Sequence, residues 1–80
     1  MVRAAEREIA PRITVDPKVR FGRPVIAGTR VDVATVLGHL AAGDTVDDIV
    51  VAYRVAREDV LAALEYAAQI VSSEDVRATG

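Results

Sequence analysis

The chain has 80 residues, a net charge of −2, 51% hydrophobic residues and no cysteine. A chain of this length forms one small domain with a marginal core, and the lack of cysteine excludes disulfide bonds and thiolate zinc sites. No segment has the ~20 apolar residues of a membrane span, and the amino terminus lacks the apolar region of a signal peptide. We therefore expect a cytoplasmic protein with no membrane association, stabilised as a homodimer or by a partner.

Charge is unevenly distributed along the chain. Residues 1–31 carry seven basic and three acidic side chains, whereas residues 32–80 carry three basic and nine acidic ones. A basic segment on an acidic body is typical of a surface that attracts a polyanion or an acidic protein site. Solvated arms and turns produce the same pattern, so charge alone leaves both interpretations open.

The amino-terminal part is predicted to form a β-arm over residues 12–31. Residues 1–11 have no sustained pattern and are expected to be a flexible arm or a short helix. A strand is predicted over residues 13–15, and Asp16 and Pro17 then fit the first two positions of a type I turn. A second apolar run follows, which favours a small hairpin or two short strands.

Turn-forming residues dominate the next stretch, "FGRPVIAGTRVDV". A short strand is predicted over residues 24–26, with Pro24 at its start or on a sheet edge because proline cannot donate a ladder hydrogen bond. Gly28 and Thr29 are predicted to turn the chain, and Gly22 to form a turn before the strand. These four residues are interpreted as structural.

Three helices are predicted over residues 32–71, where the apolar period changes from 2 to about 3.6. Asp32 is expected at the N-cap of the first helix, and Gly43 is expected to end it in the left-handed conformation. Thr45 is expected to cap the second helix. Residues 72–80 are predicted to be a flexible tail. The fold class is therefore mainly α.

The second and third helices have the separation of a DNA-reading helix-turn-helix. Two residues depart from that pattern, since Arg54 stands where glycine favours positive φ and Ala56 stands where a cap is usual. The third helix begins at about Arg57, followed by Glu58 and Asp59, whose carboxylates are repelled by phosphate.

No motif predicts an enzyme. His39 is the single histidine, has no carboxylate at a ligand spacing and is interpreted as a surface or half-buried side chain. Asp47 and Asp48 are interpreted as favourable charges at a helix start rather than as an acid/base pair. Phosphate-binding, dinucleotide-binding and serine-nucleophile motifs are absent from the sequence. We expect neither a metal nor a cofactor.

Two stretches carry a family resemblance: "GRPVIAGTRVDV" and "LAAGDTVDDIVVAYRVAREDVLAALEYA". Over residues 12–68 the sequence resembles the domain-of-unknown-function 433 family, whose members are regarded as predicted antitoxins of type II toxin–antitoxin modules. The resemblance implies a homeodomain-like three-helix unit behind a β-arm. It also implies a PIN-like ribonuclease toxin as partner, with an acidic, metal-binding active site, and a dimeric antitoxin that represses its own operon by binding DNA.

The candidate contact residues for a toxin or for DNA are basic: Lys18, Arg20, Arg23, Arg30, Arg54 and Arg57. Among them, Arg23 and Arg30 have no predicted structural role. Two other functions remain open, a stand-alone dimeric DNA-binding regulator and a structural interaction module whose β-arm adds a strand to a partner's sheet. Dimerisation is predicted through the β-arm, with the apolar strip of the last helix as the alternative.

Overall fold

A computed structural model describes residues 5–73, in which a three-stranded antiparallel sheet precedes three helices. The elements are β1 (Arg7–Ala10), β2 (Ile13–Val15), β3 (Val25–Ile26), α1 (Val33–Ala41), α2 (Val46–Tyr53) and α3 (Arg57–Ser73). The chain is mainly helical, as its sequence predicts. Within the described range, no helix combines the length and the apolar character that crossing a membrane requires.

The first strand lies where the sequence predicts a flexible arm or a short helix, over residues 1–11. The structure instead pairs β1 antiparallel with β2, at the edge of the sheet. The carboxylate of Glu6 accepts hydrogen bonds from Thr14 Oγ1 at 3.2 Å and from the N–H of Gly28 at 3.4 Å. These contacts come from residues distant in sequence, so a strand forms without a local pattern. Residues 1–4 of the predicted arm lie outside the described range.

The predicted turn after β2 is confirmed. The N–H of Val19 donates to the backbone carbonyl of Asp16 at 2.9 Å, and the N–H of Lys18 donates to the side-chain carboxylate of Asp16, also at 2.9 Å. The apolar run after this turn does not form a strand, which corrects the sequence expectation. It continues into a second tight turn, Arg20–Gly22, before β3.

The helix ends follow the sequence signals closely. Gly43 follows α1 with a φ of 101°, and its N–H donates to the carbonyl of Leu40 at 3.0 Å. Thr45 caps α2 through a capping box, because its hydroxyl accepts from the N–H of Asp48 while the Asp48 carboxylate accepts from the N–H of Thr45. The last helix reaches Ser73, and residues 74–80 of the predicted tail lie outside the described range.

One apolar core joins the sheet to the helices. The third helix packs against α1, α2 and β2, so it contacts every layer of the domain. The buried core residues are mostly small and aliphatic: Ile13, Ile26, Val33, Val36, Ile49, Val55, Val60 and Ala63. The turns between β2 and α1 contribute few residues to this cluster, and their exposed side chains include Lys18, Phe21 and Arg30.

Candidate partner-binding surface

The turn between β2 and β3 has an unusual backbone. Arg20, Phe21 and Gly22 have consecutive positive φ values of 50°, 58° and 81°. Glycine adopts this conformation readily, whereas each side-chain-bearing residue there costs about 1–2 kcal/mol. A hydrogen bond from the N–H of Gly22 to the carbonyl of Val19, at 3.1 Å, closes the turn. Gly22 therefore has the turn role that the sequence predicts.

Asp32 anchors this turn to the helical part of the domain. Its carboxylate is only 3% exposed and accepts hydrogen bonds from Arg20 Nε at 3.0 Å and Nη2 at 3.3 Å. Arg23 Nη1 lies farther away, at 3.8 Å. The hydrogen bonds from Arg20 and the attraction between the charges raise the pKa of Arg20 above its ordinary value.

The structure confirms the predicted position of Asp32 but does not give its side chain a capping hydrogen bond. Asp32 occupies the N-cap position of α1, but its side chain makes no cap hydrogen bond. The carboxylate instead accepts two hydrogen bonds from the guanidinium of Arg20, a paired arrangement that adds both energy and geometric specificity. Arg20, a predicted binding residue, therefore has a structural contact of its own.

Phe21 projects from the turn and is 93% exposed. It is the single phenylalanine of the sequence, and the two tyrosines, Tyr53 and Tyr66, are partly buried against the core. Among the described residues, Phe21 is therefore the one aromatic side chain that is largely in water. Sequence reasoning did not identify it as a functional residue.

Phe21 stands beside three of the predicted basic residues. Lys18, Arg20 and Arg30 line a concavity of about 530 Å³ together with Pro17 and Phe21, and we call these five residues the Phe21 surface. Lys18 and Arg30 are exposed, and neither forms an ion pair with any residue in the described range. The result is an aromatic side chain beside two exposed cations that form no ion pair with a described residue.

The backbone around this surface is fixed by the predicted turn residues. Gly28 has a φ of 76°, and both the N–H and the hydroxyl of Thr29 donate to the carbonyl of Ile26, at 3.0 and 2.7 Å. The carbonyl of Pro24 accepts from the N–H of Val33 at 3.0 Å, which joins the strand to α1. The sequence interpretation of these residues as structural agrees with these contacts.

Arg23 lies in a different environment from Lys18 and Arg30. It borders an apolar groove of about 390 Å³ between the start of α1 and the carboxyl-terminal part of α3. Leu37, Tyr66 and Ile70 are among the residues that line this groove. The structure therefore does not bring Arg23 into the Phe21 surface.

Arg54 and Arg57 lie at the connection between α2 and α3. Arg54 has left-handed φ and ψ values of 55° and 44°, as the sequence predicts for this position. Arg57 Nη1 lies 3.3 Å from an oxygen of Asp47, and both side chains are exposed. The six predicted basic residues thus divide among three environments.

Asp59, in the first turn of α3, makes structural contacts. The carboxylate of Asp59 accepts a hydrogen bond from the N–H of Ala56 at 2.9 Å, which compensates in part for the missing cap side chain. The same carboxylate lies 3.0 Å from Arg12 Nη1. Asp59 therefore joins the β1–β2 turn to the third helix, a contact that sequence reasoning did not predict.

His39 has closer neighbours than its sequence context indicates. Its Nδ1 lies 2.7 Å from an oxygen of Asp44, and its Nε2 lies 2.7 Å from the hydroxyl of Tyr53. A carboxylate only accepts, so Nδ1 carries the proton that it donates to Asp44. Across residues 5–73 there is no group of three or more His, Cys, Asp or Glu side chains that could hold a metal ion. The three residues join α1 to α2.

Comparison with known proteins gives a family and a similar solved structure. A family model described as a protein of unknown function, DUF433, matches residues 13–67. The crystal structure of Rv2018 from Mycobacterium tuberculosis is similar, with a TM-score of 0.60 and 38% identity over 65% of this chain. The match covers 24% of the Rv2018 chain, so it spans about a quarter of that protein. No curated protein matches the chain.

Proposed function

Since the chain belongs to the DUF433 family of proteins of unknown function, we propose that it is an antitoxin-like protein that binds and neutralises a PIN-like ribonuclease toxin. The observation that carries this proposal is the Phe21 surface, where Lys18 and Arg30 lie unpaired among the described residues. A ribonuclease site that binds metal through carboxylates is acidic, so these cations complement it. The protein acts by binding, without chemistry of its own.

The charges at the start of α3 favour an acidic protein over DNA as the main partner. Arg57 is paired with Asp47, and Glu58 and Asp59 follow it in the first turn of the helix. A recognition helix presents this end to base edges and phosphates, which repel carboxylates.

DNA binding to its own operon is the second candidate function. It is favoured by the short connection between α2 and α3 and by the left-handed conformation of Arg54, both of which suit a helix-turn-helix. In this proposal Arg54 and Arg57 are the candidate phosphate contacts. Binding would weaken steeply with salt, since each phosphate contact releases counterions.

A homodimer is part of the proposal, formed through the outer edge of β1. The strand order β1-β2-β3 leaves one side of β1 without a neighbouring strand among the described residues. A second copy, or a strand of another partner, can pair with such an edge. The alternative interface is α3, where Leu61, Ile70 and Val71 are exposed. Sedimentation of a Leu61→Lys/Val71→Lys variant separates the two, because a β1-mediated dimer survives these changes.

The test is co-expression with the product of the adjacent gene, followed by co-purification and a ribonuclease assay. Two double variants with equal change in charge are compared, Lys18→Glu/Arg30→Glu and Arg54→Glu/Arg57→Glu. We expect the first to lose toxin binding and inhibition, and the second to retain both. The second should lose any shift of its own promoter fragment at low salt. A monomer that neither co-purifies with nor inhibits a neighbouring nuclease would contradict the antitoxin proposal.

A further inference from the structure

We propose that Phe21 is the central anchor of the partner contact, with its ring inserted into an apolar pocket of an acidic protein. Lys18 and Arg30 pair with carboxylates at the rim of that pocket. The inference rests on the proposed function, since it specifies the chemistry by which the Phe21 surface recognises its partner. It identifies one residue as the main source of affinity.

The exposure of Phe21 is the first observation in support. With 93% of its surface in water, the ring contributes almost nothing to the core of this chain. Burying an aromatic side chain in a partner removes a large apolar area from water, which favours association. Fully desolvated aromatic anchors dominate the energetics of many protein interfaces.

The backbone of the turn is the second observation. Arg20 and Phe21 both adopt left-handed conformations that are unfavourable for residues with a side chain. The turn keeps them because the side chain of Arg20 is held by the buried carboxylate of Asp32. Such local backbone cost is concentrated at functional sites. Phe21 is therefore presented in one backbone conformation before the partner arrives, which reduces the entropy lost on binding.

The charges around the ring are the third observation. Lys18 and Arg30 line the same concavity as Phe21, and the charged group of neither forms an ion pair with a described residue. An apolar anchor with charged residues at its border is the usual arrangement of an interface centre and its rim. The partner is therefore an acidic protein, and Arg20 is a positioning residue that acts through the turn.

Single-stranded nucleic acid also binds aromatic and basic residues, but it fits this surface less well. Such proteins stack successive bases on several aromatic side chains along a basic groove. Here Tyr53 and Tyr66 are packed against the core, which leaves Phe21 as the one exposed ring in the described range. One stacking position does not define a binding path for a nucleic-acid strand.

The experiment measures the affinity of the full chain for the ribonuclease encoded by the adjacent gene, by titration calorimetry. Phe21→Ala is compared with Val51→Ala, a matched truncation of an apolar side chain that is 79% exposed on α2 and outside the Phe21 surface. We expect Phe21→Ala to weaken binding by about 30-fold or more. Val51→Ala should bind within about twofold of the unaltered chain, as residues outside an interface do.

The salt dependence of binding distinguishes the contribution of the Phe21 ring from that of the charged residues. Raising sodium chloride from 0.1 to 0.5 M should weaken binding of the unaltered chain and reduce the effect of Lys18→Gln/Arg30→Gln, because exposed charges are screened. The effect of Phe21→Ala should persist. Thermal unfolding of Phe21→Ala should match that of the unaltered chain, which shows that lost affinity is not lost folding.

Three results would overturn the inference. If the unaltered chain binds the ribonuclease and Phe21→Ala binds equally well, the anchor is wrong while the proposed function stands. If the unaltered chain does not bind the ribonuclease, the proposed function and the inference fail together. If Phe21→Ala loses affinity for a fluorescent 20-nucleotide single strand but not for the ribonuclease, the surface binds nucleic acid instead.

Discussion

Arg20 and Asp32 form a two-point ion pair that joins the turn under Phe21 to the residue before α1. Two nitrogens of the guanidinium donate to the two oxygens of one carboxylate, at 3.0 and 3.3 Å. The carboxylate is almost fully buried, whereas the Arg20 side chain is 44% exposed. The exposed partner can be solvated on its own, but the buried one cannot. The charge of Asp32 therefore depends on the ion pair for its stabilisation more than the charge of Arg20 does.

Replacing Arg20 should destabilise the protein more than replacing its neighbour Arg23. Arg20→Gln removes the two hydrogen bonds that Arg20 donates to the buried carboxylate of Asp32, and we expect the unfolding temperature to fall by roughly 5 °C. Arg23→Gln removes only a contact at 3.8 Å and should leave the unfolding temperature nearly unchanged. Calorimetric melting of both variants checks this, and equal losses would mean that the Arg20 pair has no special role.

Replacing Arg54 with glycine should stabilise the protein. Arg54 has a φ of 55°, which glycine adopts without the steric cost of a Cβ atom. We expect Arg54→Gly to raise the free energy of unfolding by about 1 kcal/mol, measured by urea titration. Arg54→Ala is the control, because it removes the same charge but keeps the Cβ. A gain of equal size in Arg54→Ala would attribute the effect to charge instead.

The capping box of α2 should make the free energy of unfolding depend on pH. Hydrogen bonds from the N–H and hydroxyl of Thr45 lower the pKa of Asp48 below its ordinary value of 3.8. Because its pKa is lower in the folded state, Asp48 stabilises the folded state at pH values above its unfolded pKa. This stabilisation is lost as the pH falls through the folded-state pKa.

The comparison is between the unaltered chain and Asp48→Asn, which keeps an acceptor oxygen but cannot ionise. At pH 7 we expect the unaltered chain to be more stable in urea. The difference should begin to shrink as the pH falls toward the ordinary value of 3.8 and should continue to shrink at lower pH, until Asp48 is protonated in the folded state as well. A difference that is constant across this range would show that the charge of Asp48 does not stabilise the helix start.

The hydroxyl of Tyr53 should contribute measurably to stability. It lies 2.7 Å from Nε2 of His39, so Tyr53→Phe removes the partner of a half-buried nitrogen. We expect a loss of about 0.5–1.5 kcal/mol in the free energy of unfolding. Tyr66→Phe is the matched control, because Tyr66 has no side-chain hydrogen bond in the described part of the structure. Equal effects in the two variants would contradict this account.

The helices were predictable because their signals are local. The 3.6-residue period, the left-handed Gly43 and the Thr45 cap each depend on residues within one or two turns of the chain. The third strand and its following turn were predictable for the same reason, from Pro24 and Gly28. The first strand was not, since it forms through pairing with β2 and through Glu6, which contacts residues as far away as Gly28.

The candidate site was predictable only in part. Basic composition identified Lys18 and Arg30, but their grouping depends on two turns that bring distant parts of the chain together. The role of Arg20 depends on its hydrogen bond to Asp32, twelve residues away. Local capping rules predicted only that Asp32 would stand at the N-cap of α1. Phe21 had one available signal, an aromatic residue between arginine and glycine that fits neither the strand nor the helix period.

The contact between Arg12 and Asp59 has a consequence for synthesis on the ribosome. It joins residues 47 positions apart, and β2 also packs against α3. The three strands precede their partners in α3 along the chain, so they are translated before those partners exist. The contacts between the sheet and α3 therefore form only after synthesis has passed Asp59.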